Sequence, residues 1–149
     1  MIVKEPNDLS DWPIKTGETL KRVALHAKVG GARQWGITSC LDGKAVLVFA
    51  NPGKAAKFGY DKWEREQSNG DYHYTGQGPV GDQQVDTRAN KSLLKTQVSN
   101  APIHLFEASG TSVTYRGKYR LAANPYRYER SLDLNGNDRR VIVFHFERS

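Results

Sequence analysis

Cysteine is almost missing from this chain. Cys40 is the only one, so an internal disulfide and a thiolate zinc site are both excluded, which suits a reducing, cytoplasmic setting. Histidine is sparse as well: His26, His73, His104 and His145 are scattered, and neither an HExxH pattern nor a close pair marks a metal site. No apolar run approaches the roughly 20 residues that cross a bilayer, and the opening MIVKEPNDLSDW is polar, so neither a membrane partner nor a targeting segment is predicted. The G-x-S-x-G elbow is absent, GQGPVG (76–81) lacks the lysine of a P-loop, and Ser39 and Ser92 have no visible base beside them. The sequence therefore predicts no catalysis and no cofactor.

What is present is basic and strand-rich. The 149 residues carry 22 Lys and Arg against 16 Asp and Glu, a net charge of +6, and a field of that sign attracts polyanions, nucleic acid first among them. The length suits one domain, 1–149, with residues 1–15 as an N-terminal extension. In TGETLKRVALHAKVGG, Leu20, Val23, Ala24 and Ala27 share a helical face, with Thr16 as N-cap and Gly30 as the stop. NKSLLKTQV (90–98) predicts a second helix, on which Leu93, Leu94 and Val98 share a face, while NPGKAAKFG (51–59) reads as a loop. Strands are predicted at 44–50, 71–76, 102–108 and 112–121, the last bent by a bulge at Gly117. YERSLDL and RRVIVFHF flank Asn135-Gly136, a tight hairpin signal. The fold class is α+β: a curved, twisted sheet closing toward a barrel, with two helices at its ends.

Aromatics cluster where the chain changes character. GYDKWEREQSNGDYHYTGQG (59–78) holds Tyr60, Trp63, Tyr72 and Tyr74; in a strand Tyr72 and Tyr74 share one face and His73 takes the other. Taken singly, each ring is as well explained by a core as by a site. With Asp61 beside Tyr60, and Thr75-Gly76 where the strand opens into a loop, the set supplies stacking faces and polar partners for an extruded nucleobase. An Asp accepts the N4 amino group of cytosine.

The ordered motifs LHAKVGGARQWGI (25–37), YHYTGQG (72–78), GDQQ (81–84), NKSL (90–93) and TYRGKY (114–119) resemble the SRA (SET and RING associated) domain, a reader of modified cytosine in DNA. They are most similar to the SRA-like module of bacterial modification-dependent restriction endonucleases that carry an HNH nuclease. The resemblance runs from about Leu20 to the C-terminus and implies a PUA-like fold and base flipping without catalysis in this chain. The implied partner is double-stranded DNA carrying 5-methylcytosine or 5-hydroxymethylcytosine, with an HNH nuclease fused or associated.

The resemblance also implies a site. Tyr74 stacks on the flipped base, Thr75 and Gly76 lend backbone groups to its edge, and Tyr60 is the second ring, with Trp63 as a competitor. Asp61 reads N4, although Trp63 stands where the eukaryotic pattern has its aspartate and Glu64 is also near. Arg33, Gln34 and Trp35 in GGARQWG enter the duplex. Arg88, Asn90, Lys91, Arg116, Lys118, Arg127 and Arg130 are the expected phosphate contacts. The sequence departs from the family pattern at Ala89 and Lys91, which replace a glycine and an arginine, at Gln77 and Pro79 on the pocket rim, and at Arg116 within the Tyr-Asp-Gly position. Two other classes stay open: an RNA-binding PUA-like domain and an enzyme acting on a flipped base.

Overall fold

The computed structural model describes residues 12–149. The elements are β1 (Thr19–Lys21), α1 (Arg22–Val29), β2 (Ile37–Cys40), β3 (Ala45–Ala50), α2 (Pro52–Phe58), β4 (Arg65–Glu66), β5 (Tyr72–Thr75), α3 (Arg88–Ser99), β6 (Ile103–Ser109), β7 (Ser112–Leu132) and β8 (Asp138–Arg148). The strands form one sheet in the order β2-β3-β6-β7-β8-β5-β4, with β1 paired to β7 off this path. The chain is α+β, but the expected barrel is not there. Closure needs hydrogen bonding between the first and last strands; here β2 and β4 are free ends of an open sheet, and β4, two residues long, offers almost no edge to pair.

Strand pattern explains which faces are covered. β3, AVLVFA, is buried at every position, as a strand covered on both faces should be, and it lies parallel to β6 and antiparallel to β2. One sheet face packs Tyr72, Tyr74, Phe144 and Phe146 with Leu93 of α3. The opposite face packs Leu47, Phe49, Phe106 and Tyr115 with Leu25 and Val29 of α1. Leu25 and Leu93 are fully enclosed, so truncating either to Ala removes about 2–5 kcal/mol. Residues 12–15 belong to this second layer: Ile14 is buried, and Trp12 stacks on His104 with ring centroids 3.6 Å apart. The expected extension therefore packs where it is described; residues 1–11 lie outside the described residues.

The bulge arrives as predicted. Leu105 faces Gly117 and Phe106 faces Tyr115, leaving Arg116 as the extra residue. Gly117 sits at φ +129, and a Cβ there would lie 2.9 Å from Arg148 Nη1.

Four local expectations change. α1 begins at Arg22 because Thr19–Lys21 pairs with Ser112–Thr114 of β7, and its buried face is Leu25, His26 and Val29, while Val23 is exposed. Strand pairing overrides the helical pattern there, although Gly30 does stop the helix. Residues 52–58 are a third helix: the Asn51 side chain caps Lys54 N at 3.1 Å, Pro52 takes the first position and Gly59 closes it at φ +78. The β7–β8 connection is wider than a two-residue turn, because the Asp133 carboxylate accepts from the backbone N–H of both Asn135 and Asn137 at 2.9 Å. Val98 is exposed on α3, whose buried positions are Asn90, Leu93 and Thr96.

Candidate nucleic-acid interface

A pocket of about 420 Å³ opens where the end of β5 meets α2, the 60–64 turn and the loop before β2. Its lining includes Tyr60, Glu64, Tyr74, Thr75, Gly76, Gln34, Phe49 and Arg139, a mixture of apolar walls and a few convergent polar groups, as small-molecule sites have. Tyr60 stacks on Phe58 with centroids 5.3 Å apart, and its hydroxyl accepts from Arg139 Nη2 at 2.5 Å.

Glu64 is the acid of this pocket. Its Oε1 accepts the Thr75 backbone N–H at 2.8 Å. Burial, opposed by hydrogen bonding to Thr75 and aided by Glu107, pushes its carboxyl up to about 7. Asp61 lies on the exposed side of the turn and does not line the pocket. Trp63 is behind the wall: it packs against Val141 and Val143, and its indole N–H donates to Thr75 Oγ1 at 3.0 Å.

Tyr74 divides its functions. The ring stacks on Phe146 inside the main core, with centroids 5.7 Å apart. Its hydroxyl donates to Phe49 O at 3.3 Å and accepts from Gln77 Nε2 at 2.8 Å. Gly76 is held from both sides: its N–H donates to Ile142 O at 2.8 Å, and its carbonyl accepts from Gln83 Nε2 at 2.8 Å. It has no free N–H for a base edge. A Cβ at Gly76 would come within 2.9 Å of Asn90 Oδ1, so this glycine answers a close approach.

The rim is organised by residues that sequence reasoning gave other roles or passed over. Asn90, expected on phosphate, is fully buried. Its amide accepts from Gln77 N at 2.8 Å and donates to Gln77 O and Gln84 O at 3.0 and 2.8 Å, latching the 76–84 loop to α3. Gln83 bridges that loop to β8 through Ile142 N at 2.9 Å. Arg22 pins the 30–36 loop by donating to Ala32 O and Trp35 O while covering the Phe49 ring at 3.7 Å. His26 accepts from Arg22 Nε at 3.0 Å, and burial, together with Arg22 and Arg33, lowers its pKa. None of these partnerships has a local sequence signature except the glycine at 76.

Trp35 stands exposed beside the pocket, with Arg88 5.4 Å from its ring centroid. Trp35, Gln34 and Arg88 line a neighbouring groove that shares Gly36 and Gln77 with the pocket. Arg33 and Lys91 are exposed on the same segments. Lys118 lies elsewhere, on the far side of the sheet with Trp12 and His104. Arg116 and Arg130 are ion-paired with Glu107 and Asp138 at 3.2 and 2.6 Å. Arg127 pairs with Glu129 at 3.1 Å and bridges His73 and His145. Among the described residues no group of three His, Cys, Asp or Glu is placed to hold a metal ion.

The sequence model of the ScoMcrA-like SRA domain matches residues 16–148. The chain belongs to this SRA-domain family. The same fold occurs in ScoMcrA, a type IV phosphorothioation-dependent restriction endonuclease, with a TM-score of 0.71 and 20% identity over 91% of this chain and 28% of that one. It also occurs in the SUVH5 SRA domain solved with hemimethylated CG DNA, with a TM-score of 0.58 and 20% identity over 91% of this chain and 89% of that one. The modification-dependent restriction endonuclease AspBHI gives a TM-score of 0.60 and 17% identity over 83% of this chain and 36% of that one. This SRA domain thus spans little more than a quarter of ScoMcrA. No curated protein matches it in sequence.

Proposed function

We propose that this SRA domain reads a modified cytosine in duplex DNA by taking the flipped base into the 420 Å³ pocket, and that it serves as the recognition module of a modification-dependent restriction system whose nuclease lies outside this chain. The observation that carries the reading is Glu64, a largely buried carboxylate in an aromatic-walled pocket, with one oxygen oriented by the Thr75 N–H. As the anion it accepts the N4 amino hydrogen of cytosine and rejects thymine, which presents a carbonyl there. Tyr60 is the stacking wall and the Tyr74 hydroxyl lies at the floor. The loop carrying Arg33, Gln34 and Trp35 approaches the duplex beside the pocket, and Arg88 and Lys91 meet phosphates next to it. The relatives support this reading through the SUVH5 SRA domain bound to methylated CG and CHH DNA. In ScoMcrA with phosphorothioated DNA, a separate sulfur-binding domain accompanies the SRA domain.

Contact with a methyl group is worth about 0.8 kcal/mol, only about a fourfold preference. A single methylated site should therefore be selected modestly. The test is a panel of duplexes differing only at one cytosine, plain, methylated or hydroxymethylated, with a fluorescent base analogue beside it and a structured RNA as competitor. The expected result is preference for a modified duplex together with brightening as the stack opens. Equal binding to every duplex with the analogue still quenched, or preference for the RNA, rejects the function; release or cleavage of the base makes the domain an enzyme.

A further inference from the structure

Arg139 is a charge in an expensive place. It is 2% exposed, lines the pocket, and has no carboxylate partner within ion-pair distance among the described residues. A guanidinium taken out of water, with the Asp133 carboxylate acting on it only from beyond ion-pair distance, depends on its hydrogen bonds for compensation. Those bonds all go to the two sides of one opening. Nη1 donates to Gly78 O and to Gly81 O, the latter at 3.1 Å, and Nη2 donates to Tyr60 Oη at 2.5 Å.

We infer that Arg139 is the positioning residue of the pocket, a planar clamp that fixes the Tyr60 wall against the 78–81 rim and thereby sets which base substituent fits. This rests on the base-reading function proposed above. A guanidinium presents its donors in a rigid fork, so the distance and tilt between phenol and rim are set together; the single ammonium of a lysine cannot satisfy two carbonyls and a phenol in that geometry. Neighbouring contacts make the rim a firm counterpart. Asp133 Oδ2 accepts from Gly81 N at 3.1 Å, Leu134 N donates to Pro79 O at 2.8 Å, and Asp82 Oδ1 accepts from Arg140 N at 2.8 Å. The rim is thus tied to the β7–β8 hairpin and, through Arg139 alone of these residues, to the Tyr60 wall.

The test compares wild type, Arg139→Lys, Arg139→Ala, Tyr60→Phe and the Arg139→Lys/Tyr60→Phe double variant. The readouts are the ratio of Kd values for plain and modified duplex, the brightening of the base analogue, and the melting temperature. In Arg139→Lys the ratio is expected to fall toward one and the brightening to weaken. Added methylguanidinium should restore part of the ratio in Arg139→Ala. Tyr60→Phe, which cuts one tie and keeps the ring, should lose part of the ratio, and the double variant should lose no more than Arg139→Lys alone. A folded Arg139→Lys with the wild-type ratio and brightening overturns the clamp, as does additive loss in the double variant. If the arginine variants do not fold, an unchanged ratio in Tyr60→Phe overturns it. A wild-type protein with no preference overturns the pocket itself, so the wild-type arm separates the two failures.

Discussion

Replacing Glu64 by Gln, and following binding across pH, tests the recognition chemistry most directly. The wild-type carboxyl is pushed up to about 7 by burial, and as the anion it accepts from the Thr75 N–H with one oxygen and from the N4 amino group with the other. With a pKa near 7, the anionic fraction is about one in eleven at pH 6 and ten in eleven at pH 8. Apparent affinity is reduced by the fraction that is competent to bind. Affinity for a duplex with the modified cytosine, relative to the same duplex with thymine at that position, should therefore strengthen about tenfold from pH 6 to pH 8, or about 1.4 kcal/mol. Glu64→Gln removes the titration: its carbonyl can serve Thr75 or the base, and its amide group then opposes N4. Both the preference for cytosine over thymine and its pH dependence should vanish. Fluorescence anisotropy at pH 6, 7 and 8 and constant ionic strength measures both, and dividing by the thymine-duplex value removes histidine charging from the comparison. A ratio that is flat or larger at pH 6 in the wild type, or a slope that persists in Glu64→Gln, refutes the reasoning.

Two further outcomes follow from the buried polar groups. Asn90→Ala should cost about 3 kcal/mol, since it strands Gln77 N, Gln77 O and Gln84 O beneath the loop; at this chain length that is a loss of about 10 °C in Tm, and hydrogen exchange at Gln77 should accelerate. Burial, with Lys118 nearby, lowers the His104 imidazole to about 3. The unfolded chain then binds the extra proton below about pH 6.5, so the stability due to His104 is full above that value and is lost as pH falls toward 3, by about 1.4 kcal/mol per unit. In denaturant titrations at pH 7, 6 and 5 the difference in stability between wild type and His104→Gln should carry that slope, because the opposite contribution of Glu64 is common to both; a difference that does not change with pH assigns the acid sensitivity elsewhere.

Period-two alternation made the strands legible, and Gly117 and Asn135-Gly136 marked the bulge and the hairpin, because each signal is local. The third helix was equally local in origin: Asn51-Pro52 at one end and Gly59 at the other are cap signals, obscured by two lysines and small residues with no apolar stripe. Barrel closure was misread because alternation reports which face of a strand is buried, not whether the outermost strands meet. In the pocket, Tyr60, Glu64 and Thr75 come together, but adjacency in sequence could not separate Asp61 from Glu64. The turn over Tyr60–Lys62 exposes the first acid and folds the second under β5. Asn90 and Arg139 were out of reach for a different reason: Asn90 meets Gln77 thirteen positions away and Arg139 meets Tyr60 at a separation of 79, and no single-sequence pattern encodes such pairs.

The latched 76–84 loop also bears on the time course of recognition. Fixing a residue's backbone costs about 1–2 kcal/mol of conformational entropy, and here Asn90, Gln83 and Arg139 hold the rim in place before any DNA arrives. That cost falls on folding, not on binding. Encounter then needs no slow ordering of the rim, and association is governed by charge and orientation, which modified and plain duplexes share. Discrimination is left to the lifetime of the complex: a cytosine that fits the pocket leaves slowly, and one that does not returns to its helix.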